Sequence, residues 1–386
     1  MNIVYLTAES LKNDPIIESQ VMRLVDLATS TTGPVEHVEV VTFEADGPCS
    51  QAVWRGNAKV SHAGLGRRGH VANTIALCKY LFLRRAAYQV IHVRSYLPLL
   101  PALMAKLFLR KFVIFDPRGL FADEVLYYKK GVAIAYLFKF IEPFLYRYSD
   151  AVVVVSERFR DYIMRRYRLP AHRVTHISTF AEVATTARPA ELADFRATPL
   201  WQSAIILCYS GSLEGWQLFD KVIDFFAMAS SISPRFKFVV MSKQDAEVAQ
   251  LLSGRLPPDS FIVQRATPAQ LPFLLRQCDY GVLFRQQHLI NEVAAPIKVK
   301  DYLLAGLKIV ISDNVGDSSS YVRANQMGHV LAEFSEAAMR SMLAELTPVD
   351  ATEKSRVAET AGRDFSLGVA EQKYREIYAS INSKMG

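Results

Sequence analysis

Lys298 and Asp301 stand three residues apart in the stretch APIKVKDYLLAGLKIVIS, Ala295–Ser312. Pro296 suits a first helical turn and Gly306 a left-handed stop, so a helix is expected from Pro296 to Ala305. Free backbone N–H groups and the dipole at its start favour an anion. Lys298 places a full positive charge at that end, where a cation is otherwise unfavourable, and an anionic ligand would resolve the conflict. Asp301 follows one turn later on the same side, where a carboxylate can accept two hydrogen bonds from a ribose diol. Phosphate on Lys298 and ribose on Asp301 together make a nucleoside-diphosphate site. The competing reading is an internal Lys298–Asp301 ion pair on an exposed face.

Other candidates sit where short apolar runs end. Gly211 and Ser212 follow AIILCYS and precede a helical pattern. Glycine permits close backbone approach and a serine hydroxyl can bond a phosphate oxygen, although a plain turn has the same composition. Lys243 follows FVVMS and Arg285 follows YGVLF. Each is a diphosphate ligand or a surface charge. Asp116 and Arg118 close the run FVIFDPR. That arginine suits bidentate contact with an anion, or a structural pair with Asp123 or Glu124. His92, in VIHVRS, is either a satisfied histidine at a strand end or a base.

The elements that must hold these residues alternate throughout the chain. NIVYLT, HVEVVTF, VIHVRS, FVIFD and AVVVVS read as buried strands in the first half. Helical patterns such as SQVMRLVDLAT, ANTIALCKYLFLRRA and VAIAYLFKFIEPFLYRY lie between them. A second series, AIILCYSGS, FKFVVMS, SFIVQ, YGVLF, LKIVIS and GHVL, begins after an Ala-, Thr- and Pro-rich connection over 176–199. Near-continuous apolar strands separated by helices mean a parallel sheet covered on both faces. The expected fold is α/β, with two doubly wound, Rossmann-like domains in tandem. Ligands of such sheets bind beyond the carboxyl ends of the strands. The first domain is expected over 1–185, with a terminal helix of about 368–386 packing back on it, and the second over 200–367. A site in a cleft between them is expected.

Several strings, in order, resemble family 4 retaining glycosyltransferases of the GT-B fold. PIKVKDYLLAGLKIVIS is similar to that family's donor-site signature and keeps Pro296, Lys298, Tyr302, Leu303 and Gly306. It has Asp301 where the family usually has Glu, Lys308 where it has Pro, and Val293 where another Glu stands. LKNDPIIESQVMRLVDLA resembles the family's first loop and helix. QVIHVRSYLPLL resembles its strand end, at His92, Arg94 and Ser95. FDPRGLFADE resembles an Asp-x-Arg-Gly string, and YSGSLEGW the turn that opens the second domain, with Glu214 replacing a Gly. The resemblance implies a nucleotide-sugar donor held by Gly211, Ser212, Lys243, Arg285 and the segment Pro296, Ile297, Lys298, Asp301 and Tyr302. It implies catalytic roles for Asp116, Arg118 and Lys298, and an acceptor side at His92, Arg94 and Ser95. Lysine and backbone N–H groups would offset the charge on the leaving diphosphate, so no cofactor and no metal is expected. A nucleotide-sugar epimerase or hydrolase, or a degenerate binding partner of a polysaccharide synthesis complex, would share the donor pocket.

Charge points to the acceptor's surroundings. Residues 1–200 hold 26 Lys and Arg against 18 Asp and Glu, whereas residues 201–386 hold 19 against 20. Between Asp46 and Asp116 lie eleven basic residues and no acidic one, interleaved with apolar residues as in CKYLFLRRAAY. Such a face suits an anionic membrane surface, or is simply a solvated basic face. A saccharide or polyprenyl-linked acceptor in surface-polysaccharide synthesis, used by a cytoplasmic protein peripheral to the membrane, is the expectation. No nucleic-acid motif accompanies the charge. Four dispersed cysteines form no CxxC pair, which suits a reducing compartment.

Overall fold

The computed structural model describes residues 1–12, 14–30, 33–48, 54, 56–129, 131–181, 192 and 194–385. Cys49 and the centre of the Ala-, Thr- and Pro-rich connection lie outside the described residues, as does the boundary expected at residue 185. The chain divides into two compact units, Met1–Thr179 with Leu367–Gly386, and Phe180–Ser366.

The first unit is built on seven parallel strands: β1 Asn2–Leu6, β2 His37–Glu44, β3 Val60–Gly66, β4 Val90–Arg94, β5 Phe112–Asp116, β6 Ala151–Val154 and β7 Val174–His176. Their order is β3-β2-β1-β4-β5-β6-β7. Central strands such as β4 are buried throughout, because helices cover both faces of the sheet. The two outer strands escape the apolar pattern. β3 carries His62 and Gly64 on an alternating edge, and β7 is three residues long. The strand order reverses between β1 and β4, so their carboxyl ends splay apart into a crevice. In register, Arg94 at the end of β4 lies opposite Asp116 at the end of β5. The terminal helix Leu367–Met385 packs against helix Arg23–Thr29 within this unit.

The second unit has six parallel strands: β8 Ile205–Ser210, β9 Phe236–Met241, β10 Phe261–Gln264, β11 Tyr280–Leu283, β12 Lys308–Ser312 and β13 Gly328–Leu331. Their order, β10-β9-β8-β11-β12-β13, reverses between β8 and β11. Two apolar clusters cover the two faces of this sheet, one built around Tyr302 and Leu303, the other around Phe225 and Phe226. The helix expected from Pro296 runs over Ile297–Leu304. Pro296 is its extended N-cap at ψ 123°, outside the first turn, because the chain arrives from a loop rather than from a preceding turn. Gly306 ends it at φ 84°.

Candidate functional site

The second unit gathers its candidates at its own switch point. Gly211 and Ser212 leave the end of β8, and Arg285 follows β11 beside it. Lys298, in the first turn of helix Ile297–Leu304, reaches back to this turn. Its ammonium donates to Gln217 Oε1 and lies 5.6 Å from the centre of the Tyr209 ring. Gln217, 4% exposed, also donates to Ser212 Oγ at 2.7 Å and accepts from the Tyr209 hydroxyl at 2.8 Å. One buried amide therefore fixes both the serine and the lysine. A Cβ on residue 211 would overlap Lys298 Nζ and Gln217 Oε1, so the turn needs glycine to let the ammonium approach the backbone.

The electrostatics of this cluster favour an incoming anion. Burial first, and the neighbouring Arg285 second, bring the Lys298 ammonium down to about 7, with Asp301 pulling the other way. Burial likewise pushes Asp301 up to about 7, against the pull of Lys298 and Lys300. Two cations thus share a partly dehydrated corner whose nearest carboxylate is itself inclined to be neutral. A diphosphate here would be attracted by the charges of both Lys298 and Arg285. Lys300, between the two in sequence, turns the other way. It is 3% exposed, lies 4.9 Å from the centre of the Phe365 ring, and is brought down to about 8 by burial.

Three other candidates in this unit are placed differently. Tyr302 is fully buried over Gly281, and its hydroxyl accepts the Ser210 N–H at 2.8 Å. The expectation that Tyr302 touches a ligand is therefore corrected: it anchors the end of β8 from beneath. Pro296 is buried and Ile297 half-buried at the start of the helix, while Lys243 is exposed beyond the end of β9.

In the first unit, Arg94, Ser95, Asp116 and Arg118 converge at the ends of β4 and β5. Asp116 is fully buried, with Arg118 Nη1 3.5 Å from Oδ2, and neither carboxylate oxygen has a hydrogen bond of normal geometry. Burial raises its pKa, opposed by Arg118 and Arg94. The alternative partners of Arg118 are engaged elsewhere: Asp123 pairs with Lys139 at 2.9 Å, and Glu124 packs against Gly119. Arg94, 5% exposed, meets Glu9 at 3.3 Å. Ser95 and Arg118 adopt left-handed backbone, at φ 71° and 64°, and Ser95 N–H donates to the Asp116 carbonyl at 2.8 Å. Such strain at two neighbouring strand ends is characteristic of functional crevices. A cavity of about 250 Å³ opens next to this edge, lined by Phe43, Arg67, His70, Asn73 and Leu97 among others.

His92 does not join this group. It is fully buried between Tyr5 and Tyr374, with Nδ1 3.2 Å from the Tyr378 hydroxyl. Burial, reinforced by the charges of Arg94 and Arg118, brings its pKa down to about 3. The reading of His92 as an accessible base or acceptor contact is corrected to a neutral core residue that ties the terminal helix to β4.

Glu9, Glu44 and Gln217 were not among the expected residues. Fully buried Glu44 accepts from Ser10 at 2.5 Å, Thr42 at 2.5 Å and Leu11 N–H at 3.0 Å, and so pins the loop after β1. Only the charge at the end of the apolar run HVEVVTFE hinted at it.

The description Glycosyltransferase Family 4 matches residues 34–184. No curated protein sequence matches the chain. Among solved structures, the chain is similar to sucrose-phosphate synthase from Thermosynechococcus elongatus, at 16% identity, full coverage of both chains and TM-score 0.72. It is also similar to HepE from Anabaena in complex with UDP-glucose, at 15% identity over 98% of this chain and 100% of that one, TM-score 0.67. A UDP-forming α,α-trehalose-phosphate synthase from Burkholderia vietnamiensis aligns at 11% identity over 98% and 100%, TM-score 0.67. The Family 4 match is confined to residues 34–184 of the first unit, and the two parallel-sheet units together have the GT-B fold of these structures.

Proposed function

We propose that the chain transfers a sugar from a UDP-linked donor to a saccharide or polyprenyl-linked saccharide acceptor, with retention at the anomeric carbon, in surface-polysaccharide synthesis. The observation that carries this reading is the partly dehydrated Lys298 ammonium, fixed by Gln217 beside the Gly211–Ser212 turn and within reach of the Arg285 charge. Uridine is chosen as the base because HepE and the trehalose-phosphate synthase are described with UDP or as UDP-forming.

In this reading Gly211, Ser212, Lys298 and Arg285 hold the diphosphate, Asp301 holds the ribose, and exposed Lys243 closes on the phosphates from β9. Charge grows on the leaving diphosphate as its bond to the anomeric carbon breaks, and the fixed cations stabilise it without reorganising. The acceptor hydroxyl forms the new bond on the same face and passes its proton to the departing phosphate oxygen. Arg94, Ser95, Asp116 and Arg118 in the first unit orient the reacting sugars. The balance of charge needs no metal and no further cofactor. The first unit works at an anionic membrane on the cytoplasmic side.

The test is a thermal-shift series with UDP, GDP, ADP and CMP, followed by product analysis with UDP-sugars. A nucleotide at 100 times its dissociation constant should stabilise the second unit by about 2.7 kcal/mol. UDP alone should do so, and Asp301→Ala should abolish the shift. No shift with any nucleotide would overturn the donor site. Free sugar or an epimer as product would replace transfer by hydrolysis or epimerisation, and binding without turnover on any acceptor would indicate a binding partner.

A further inference from the structure

We infer that the outward faces of helices His70–Leu83, Leu99–Leu109 and Val132–Tyr148 form one surface that lies on an anionic lipid bilayer. The inference rests on the membrane-linked reading above and says which part of the chain meets the lipid.

Topology puts the three helices on one side of the sheet. They follow β3, β4 and β5, and each connection steps in the same direction across the order β3-β2-β1-β4-β5-β6-β7. Right-handed crossovers then place all three on the same face. The middle helix packs against both others.

Their outward sides are apolar at helical spacing. Val71 and Ile75 are 75% and 63% exposed on the first helix. Met104, Leu107 and Phe108 line the second, and Tyr136, Phe140, Phe144 and Tyr148, four residues apart, line the third, with Phe140 84% exposed. Of the 20 large apolar side chains exposed among the described residues, 15 lie on these helices, which contribute only 42 residues. A water-facing surface does not concentrate its aromatic residues in this way.

Charge selects the occupant. The only acidic residue in the three helices is Glu142, which is 3% exposed and bonded to Tyr167 at 2.8 Å. Lys106, Lys139 and Arg84 are paired with Asp150, Asp123 and Glu39 around the rim. Arg67, Arg68, Lys79 and Arg110 are exposed with no carboxylate partner among the described residues. A second copy of this face would bring like charges together, whereas anionic headgroups complement them. The helices have 14, 11 and 17 residues, and no described helix is long and apolar enough to cross a bilayer. They would therefore lie in the interface with aromatic residues at headgroup depth. The 250 Å³ cavity includes His70, Asn73, Thr74 and Leu77 from the first of these helices, so a lipid-linked acceptor could enter it from that surface.

The experiment is vesicle co-sedimentation of the full chain, with phosphatidylcholine alone or with about a third phosphatidylglycerol. Wild type should sediment with the anionic vesicles only, and less so as salt rises. Lys79→Gln with Arg110→Gln should weaken binding by roughly fivefold per charge. Phe108→Ser with Phe140→Ser should weaken it by at least about tenfold. Both pairs are exposed, so melting temperature and UDP binding should stay at wild-type values. Equal binding to both vesicles, binding to neither, or unchanged binding by the Phe108/Phe140 variant would overturn the inference. Self-association by sedimentation velocity that the same variant abolishes would assign the face to a second copy instead. UDP binding without vesicle binding defeats only this inference, and the reverse defeats only the donor reading.

Discussion

Binding of UDP above neutral pH should draw a proton from solution, and Lys298 should receive it. Burial and Arg285 hold this lysine at about 7 in the unliganded protein. At pH 8 only about one molecule in ten then carries the ammonium. A diphosphate against Nζ restores the charged form, so binding takes up roughly 0.9 proton there. Asp301, pushed up to about 7 by burial, is already about nine-tenths ionised at pH 8 and can release at most about 0.1 proton. The terminal phosphate of UDP, with a second pKa of about 6, is nearly fully ionised as well. Net uptake should be roughly 0.8 proton per UDP. Because the complex binds more protons than the free protein, affinity falls as pH rises above 7, by up to about tenfold per unit. Calorimetric titrations at pH 8 in HEPES and in Tris, whose ionisation enthalpies differ, read the uptake from the slope. Lys298→Met should bring the slope to near zero and weaken binding by roughly 10- to 100-fold at pH 6.5. A wild-type slope of zero would refute the reasoning, since Lys298 would then either be charged already or not meet the diphosphate.

Gly211→Ala puts a methyl where Lys298 Nζ and Gln217 Oε1 meet. The flexible ammonium should swing away, leaving urea stability within about 1 kcal/mol of wild type while UDP affinity drops at least about tenfold. His92→Phe leaves the Tyr378 hydroxyl without its partner and should cost about 1–3 kcal/mol by urea unfolding, with the pH profile of turnover unchanged. A shifted profile would return His92 to the chemistry. Lys300→Met should stabilise the protein by up to about 3 kcal/mol at pH 7. Lys300 is held at about 8 when folded against 10.5 when free, so the unfolded chain binds the extra proton between these values. Wild-type stability should therefore rise with pH across that window while the advantage of Met shrinks, and parallel urea curves at pH 7 and 9 measure both.

Local pattern carried the two-sheet architecture and part of the cluster around Lys298. All six strands of the second unit coincide with apolar runs, and its four inner strands are buried almost throughout, as a parallel sheet covered on both faces requires. The edges β3 and β7 were illegible for the same reason: one alternates and contains histidine and glycine, the other is too short to show any pattern. Lys298 and Asp301 could be read together because helical spacing relates residues three apart wherever the helix sits. Gly211, Ser212 and Arg285 stood out as residues at strand ends, which is where a doubly wound sheet exposes its backbone.

Burial direction and long-range pairing are invisible to that reading. Tyr302 and His92 belong to motif-like strings at strand and helix ends, yet both side chains point into cores made by segments far away in the chain. Gln217 gains its importance only because the fold brings Lys298 to it across 81 positions. The basic, apolar stretch between Asp46 and Asp116 announced an unusual surface in the sequence alone. That its apolar residues point outward, and join those of Val132–Tyr148 on one face, follows from the crossovers of the sheet, which no local propensity encodes.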